Sequence, residues 1–437
     1  MQYLKHIVCS SIALFFGVVP LSALAGPGDL DLLFGINGKV ITSTGFSDEA
    51  NAVALQTDGK IVVAGYTNAF GGGIVARYNT DGSLDVSFGN GGIALPGGHA
   101  HGTHFKAVQI QPDGKIIAAG HFVEPGGCPG WRGRIVRLNT DGSLDATFNS
   151  DSGMPGTWEY FFGCDATYFN SLAIQPDGKI VIAGGTYHSG PDLDFVAIRL
   201  NTNGELDTTF NLDGLATYPI GDDDEQAFLV AIDPSNGKIL LAGYTFGSGN
   251  KDMAFIMLTA GGLYDFGFGT NGKLTINFSN RNDEANAVLF RPDGKILVGG
   301  YAAPSVLMPL DHQFALMRLT SSGRPDTNFG TKGNTLTNFG SHQDSVSAIA
   351  VQPDGKIVAV GKSENTSGTY ANFALARYSA NGILDTTFGI QGKQTTDFLG
   401  GADYGRGVAI QSDGKIVAVG SAANGSDLEI ALARYEP

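Results

Sequence analysis

Short apolar runs separated by Gly- and Asp-rich corners extend along the whole chain. Ala52-Val53-Ala54-Leu55 leads into Thr57-Asp58-Gly59, and Ile61-Val62-Val63-Ala64-Gly65 follows after one lysine. Two β-rich runs joined through an Asp-Gly corner predict a hairpin. A third strand is expected from Ile74 to Tyr78, then the turn Asn79-Thr80-Asp81-Gly82, then a short fourth strand from about Gly92. No segment carries the apolar spacing of a long amphipathic helix.

The unit repeats. Gln111-Pro112-Asp113-Gly114-Lys115-Ile116 returns from Gln175 and from Gln352, with weaker copies from Gln56, Arg291 and Gln411. A further copy reads Asn236-Gly237-Lys238 after a one-residue insertion, giving seven copies at about 59 residues each. Gly65 recurs as Gly120, Gly184, Gly243, Gly300, Gly361 and Gly420. A glycine that persistent inside a strand implies close backbone approach or a bulge. Phe34 likewise recurs as Phe88, Phe148, Phe210, Phe268, Phe329 and Phe388.

Four short strands with tight turns fill such a unit. Solenoid coils are shorter, whereas propeller blades are four-stranded sheets set around an axis. The stretch from Gly38 to Thr44 reads as a fourth strand with no repeat of its own, and the last copy, ending near Tyr435, lacks one. Pairing the two would close a ring and remove two bare edges. The expected fold is therefore all-β, a single closed seven-bladed β-propeller of four-stranded blades, with the N-terminal strand completing the last blade. Approximate blades are 46–97, 98–163, 164–219, 220–278, 279–340, 341–399, and 400–437 joined to 28–45.

One charged pair repeats with the blades. Arg77, Arg137, Arg199, Arg318 and Arg377 each end a third strand, with Asp85, Asp145, Asp207, Asp326 and Asp385 eight residues later. Arg434 has no Asp after it and Asp31 no Arg before it, so ring closure would make them partners. Met257 replaces the Arg of the fourth copy. These are read as structural ion pairs, because catalysis rarely needs one pair in nearly every repeat.

Composition narrows the class. The 64 glycines show no three-residue period, and a hydrophobic content of 42% supports a real core, which excludes collagen and intrinsic disorder. A net charge of −15 argues against nucleic acid as a partner. Lys5 and His6, the apolar stretch from Ile7 to Val19, Pro20 and Ala23-Leu24-Ala25 have the pattern of a signal peptide over residues 1–25. The propeller then spans 26–437, in a protein expected to be secreted, periplasmic or on the cell surface. No later segment is long enough for a membrane span.

The combined unit Asp-Gly-Lys-Ile-Val-x-x-Gly, then Ala-x-x-Arg-Tyr/Leu, then Asp-Gly-x-Leu-Asp-x-x-Phe-Gly resembles the delta-60 repeat of bacterial exported proteins over about residues 28–437. The resemblance implies an exported β-propeller and carries little chemistry with it.

Candidate chemistry concentrates in the second and third copies. Residues 96–165 hold both longer insertions and both tryptophans. Trp131, Trp158, Tyr160 and Tyr168 form a candidate stacking platform for sugar rings or a protein partner, or else they pack the inserted loops. His99, His101 and His104 are candidate ligands for zinc or copper, against the reading of a solvated His-rich loop. Cys128 and Cys164 are a candidate disulfide in an exported protein. The loops Asn79 to Asp85 and Asn139 to Asp145 resemble short calcium loops, though Asx-turn chemistry explains them as well. Asp48, Glu225, Asp283, Asp344 and Asp403 begin first strands and read either as a cation site at one mouth of the channel or as solvated strand ends. Neither calcium nor zinc is favoured as a cofactor.

The sequence contains no Gly-x-Ser-x-Gly elbow, phosphate loop or His-Glu-x-x-His. The leading expectation is a non-enzymatic binding scaffold for an unidentified protein or glycan, using the loops of blades 2 and 3. The rivals are a metal-dependent hydrolase or lyase using His99, His101, His104 and Asp165, and a calcium-dependent surface protein.

Overall fold

A computed structural model describes residues 25–437 except 70, 98–101, 124–129, 152, 161–164, 188–191, 222, 248, 279–281, 304–311, 341–342 and 365–369. Each repeat forms an antiparallel sheet. In blade 1 the strands are Asp48–Leu55, Ile61–Thr67, Gly73–Tyr78 and Ile93–Ala94, paired in that order. Seven such four-stranded sheets form, and among the described residues there is no helix. The first strand of every blade (His104–Ile110 in blade 2, Asp403–Ile410 in blade 7) lines a central channel of about 660 Å³.

The recurring glycine has a definite cause. Each first strand carries a one-residue bulge, at Asn51, Lys106, Asn170, Phe228, Asn286, Ser347 and Arg406. The bulge drives a carbonyl of the first strand toward the second, so a Cβ on Gly65 would sit 1.8 Å from the Glu49 oxygen. At Gly184 the corresponding gap, to the Tyr168 oxygen, is 1.6 Å. No side chain fits there. The bulged residues are aimed at the channel, which is how the fold re-aims side chains at functional openings.

Cores form between blades. Val419 and Leu432 of blade 7 pack with Ile61 and Val63 of blade 1 around Phe34, all buried. Every member of the recurring Phe column is fully buried. Stacked over each ring except Phe268 is the guanidinium of that blade's Arg, as in Arg77 at 4.6 Å from the Phe88 centroid.

The Arg–Asp column closes with similar geometry around the ring. Nε of Arg77, Arg137, Arg199, Arg318 and Arg377 lies 2.6–2.9 Å from Asp85, Asp145, Asp207, Asp326 and Asp385. The Lys of each Asp-Gly-Lys turn joins the same carboxylate, as Lys115 does at 2.8 Å from Asp145. In blade 4, where Met257 stands for Arg, Asp265 is held by Lys238 and by the Gly267 amide at 3.1 Å. The Arg also reaches the next blade, Arg318 donating to the Ala380 carbonyl at 2.7 Å. The column thus braces one blade to the next.

Closure runs through both ends of the chain. Lys39–Thr42 pairs with the third strand of blade 7, from Lys39 opposite Ala433 to Thr42 opposite Ile430. Arg434 Nε donates to Asp31 at 2.7 Å, across 403 residues of chain. The Pro27 carbonyl accepts from Gly389 N at 2.8 Å, the place that Asp141 fills for Gly89.

The acidic column at the first-strand starts is neither solvated nor arranged as an open cation ring. Asp48, Glu225, Asp283, Asp344 and Asp403 are all fully buried. Each accepts from the backbone of the incoming connection: Asp403 from Phe398 N at 2.9 Å, Asp344 from Phe339 N at 2.8 Å, Glu225 from Ile220 N at 3.0 Å. A buried amide needs an acceptor, and these acids supply it at the crossing between blades.

Candidate functional site at the channel mouth

The Asp-Gly turns occupy one end of the blades. At the other end, the residue after each recurring Gly sits opposite a first-strand residue beside the channel. The pairs are Glu49 with Tyr66, His104 with His121, Tyr168 with Gly185, Gln226 with Tyr244, Glu284 with Tyr301, Ser345 with Lys362 and Tyr404 with Ser421. This ring carries tyrosine after the Gly in blades 1, 4 and 5, and the other four blades each place a different residue there.

Across blades 1 to 3 it is aromatic. Tyr66 stacks on His104 with centroids 3.8 Å apart and planes 5° from parallel. His104 lies 6.0 Å from His121, which meets Trp131 edge-on at 4.9 Å and Tyr168 at 5.5 Å. Trp131 and Tyr168 are 6.0 Å apart, so five rings form one continuous cluster. Tyr66, His104, Trp131 and Tyr168 are only half-buried and present surface to the mouth.

Across blades 4 and 5 the ring is mixed. Lys251 sits 4.0 Å over Tyr244 and binds Glu284 at 2.6 Å, while Tyr301 stacks on His312 at 4.5 Å.

Burial sets the charge of this mouth. His104 is pushed down to about 4, first by burial and then by the neighbouring Lys106. His121 falls to about 3 by burial, then Lys106 and His104. Both imidazoles are therefore neutral at neutral pH, and the aromatic cluster is uncharged. Burial, assisted by Glu49, raises the Tyr66 hydroxyl, which donates to Asn68. Burial lowers Lys106 itself, with Glu49 opposing and Arg406 reinforcing that shift.

Blade 2 has its own support. Thr103 replaces the acid of the buried column and accepts from Arg134 Nη1 at 2.7 Å. Arg134, 2% exposed, also donates through Nε to Glu159 at 2.8 Å and to the Gly97 carbonyl, with its guanidinium 4.1 Å over Phe122. In the other blades the same strand position is apolar: Ile74, Val196, Ala254, Ala315, Ala374 and Ala431. That lone Arg was a readable signal which the repeat pattern concealed.

The sequence candidates divide. His104, Trp131 and Tyr168 share the mouth cluster, joined by Tyr66 and His121. Trp158 and Tyr160 lie elsewhere, stacked on each other at 5.4 Å, with Trp158 buried against Phe169 in the core between blades 2 and 3. His99, His101, Cys128 and Cys164 fall outside the described residues. Among the described residues, no group of three His, Cys, Asp or Glu is placed to hold a metal ion. In the Asn79–Asp85 loop, Asp81 takes Ser83 N at 2.9 Å and Ser83 Oγ at 2.7 Å, an Asx turn, while Asp85 is held by Arg77 and Lys60. Tyr66, His121, Tyr244 and Tyr301 were not singled out by sequence reading. Their signal is the position directly after the recurring glycine.

Comparison with known proteins supports the architecture. Five stretches, 56–88, 111–148, 175–210, 352–388 and 411–437, match the family described as "Domain of unknown function (DUF5122) beta-propeller". Residues 333–367 match the WD domain, G-beta repeat. No curated protein sequence matches the chain. A catalytically inactive virginiamycin B lyase from Staphylococcus aureus, solved with quinupristin, is similar at 12% identity, covering 90% of this chain and 98% of that one, with a TM-score of 0.51. Sqt1 from Chaetomium thermophilum is similar at 13% identity, covering 92% and 98%, with a TM-score of 0.48. Likeness at this level concerns the fold alone. No helix among the described residues is long and apolar enough to cross a membrane. The chain is a seven-bladed β-propeller whose repeats are similar to those of the DUF5122 β-propeller family.

Proposed function

We propose that this propeller is an exported, non-enzymatic binding scaffold whose contact surface is the aromatic mouth on blades 1 to 3. The observation that carries the reading is the five-ring cluster of Tyr66, His104, His121, Trp131 and Tyr168. Aromatic faces held rigid beside a channel give large contact area with little entropy to lose on binding. The neutral imidazoles suit stacking against a sugar ring or an apolar partner side chain. Export is supported by the N-terminal pattern up to Ala25 and by the delta-60 resemblance.

The test is binding of a panel of soluble oligosaccharides to the purified chain, followed by Trp fluorescence. Trp131→Ala should abolish binding while leaving the melting temperature nearly unchanged, because Trp131 is half-exposed. Binding that survives Trp131→Ala and Tyr168→Ala would place the contact surface elsewhere. Metal analysis of the same sample addresses the hydrolase or lyase reading.

A further inference from the structure

Resting on that reading of the mouth, the channel beside it gives the ligand a charge. The bulge residues flanking blade 1 are Lys106 of blade 2 and Arg406 of blade 7, and both line the channel on either side of Asn51. Neither forms an ion pair with a described residue. Elsewhere in the ring Glu284 binds Lys251 at 2.6 Å, and Lys362 binds Glu364 at 3.0 Å. Glu49 acts on Lys106 through space without an ion pair. Asn51 is committed as a donor to the Phe105 carbonyl at 3.0 Å. Arg406 lies 5.6 Å from the Tyr404 ring, with its guanidinium exposed to the channel.

Two cations with no ion pair among the described residues face one opening and repel each other, and the chain as a whole carries a large excess of acid. A bound anion removes that repulsion. Lys106 also acts electrostatically on His104 and His121, which puts the cation next to the aromatic cluster. We propose that the mouth binds an acidic saccharide, its carboxylate drawn to Lys106 and Arg406 while a sugar ring lies against the Tyr66–His104–Trp131 face.

The experiment compares oligogalacturonate with its methyl-esterified form, within a panel of matched acidic and neutral oligosaccharides, by calorimetric titration of the full chain. The expected result is binding of the acidic members alone, weakening as salt rises. Lys106→Gln and Arg406→Gln should each weaken it by about tenfold or more, the worth of one charge-assisted hydrogen bond. Equal binding of the esterified form, or acidic binding unchanged in both variants, overturns the proposal while the stacking surface stands. No binding by any member of the panel overturns both. Unchanged melting temperatures of the two variants confirm that the loss is one of contact, not of fold.

Discussion

The two ends of each blade obey different rules. At the turn end, the Arg–Asp–Phe column is nearly invariant around the ring, and Lys of the turn joins it in every blade. At the mouth end, the equivalent residues are Tyr66, His121, Gly185, Tyr244, Tyr301, Lys362 and Ser421, where only the tyrosine of blades 1, 4 and 5 recurs. Every blade carries both. Repetition marks what every blade needs to stand against its neighbour, and departure from it marks what only one side of the disc does.

The largest expected effect breaks the regular end. Arg434→Ala removes a buried pair with Asp31, the stack over Phe34 and the bond to the Thr80 carbonyl at the point of ring closure. Breaking such a buried pair costs about 3–5 kcal/mol, so thermal or urea unfolding should show a fall of that size. Asp265→Asn should cost much less, since among the described residues its one ionic partner is Lys238, which is 39% exposed. Equal losses at the two sites would mean that the column does not brace the ring.

Next comes the glycine that separates the two ends. Gly184→Ala would place a Cβ 1.6 Å from the Tyr168 oxygen, so the bulge must shift. A loss of about 3 kcal/mol is expected, and with it displacement of Asn170 from the channel. Gly425→Ala, with no atom within 4 Å of the added carbon, meets only the strain of its φ of +67° and should lose about 1 kcal/mol. Chemical denaturation of both variants checks the difference.

How much of this was legible follows from the same contrast. The blades, ring closure and the Arg–Asp partners could be read because seven near-copies report one another's geometry, and Asp31 with Arg434 completes the set. The bulge could not be placed, since an apolar strand gives no outward mark of a one-residue register shift. The buried acids were misread as solvent-facing because strand ends usually are, and the backbone amides they accept from come from the preceding blade. The mouth cluster was found only in part. Tyr66 and His104 belong to different repeats and meet only because the ring sets blade 1 against blade 2.

A smaller effect separates the two acidic columns by pH. Asp326 is held down to about 2, chiefly by the hydrogen bond from Lys295. Its stabilisation is present above the unfolded value near 4 and is lost as pH falls toward 2. Asp403 runs the other way: burial raises it to about 7, and one of its oxygens has no hydrogen-bond partner. Its stabilising contribution is complete below about pH 4 and is lost as pH rises through 7. Asp403→Asn keeps an acceptor for Phe398 N and removes the titration. Relative to the variant, the parent protein should lose on the order of 2–4 kcal/mol between pH 4 and pH 8. Parallel unfolding curves at all pH values would show that this carboxyl is not held protonated.

The smallest effect lies within the mouth. His104 and His121, pushed down to about 4 and 3, should show imidazole NMR shifts that stay flat from pH 8 to pH 5. Because folding lowers both values, the unfolded chain takes up protons first, and stability from these groups falls as pH drops below about 6.5. Lys106→Gln removes the second cause of each shift and leaves burial, the first. Both midpoints should therefore rise by a fraction of a pH unit and remain below the ordinary histidine range. A full return to that range would mean that charge rather than burial keeps the imidazoles neutral, and that the aromatic cluster is wetter than its ring contacts require.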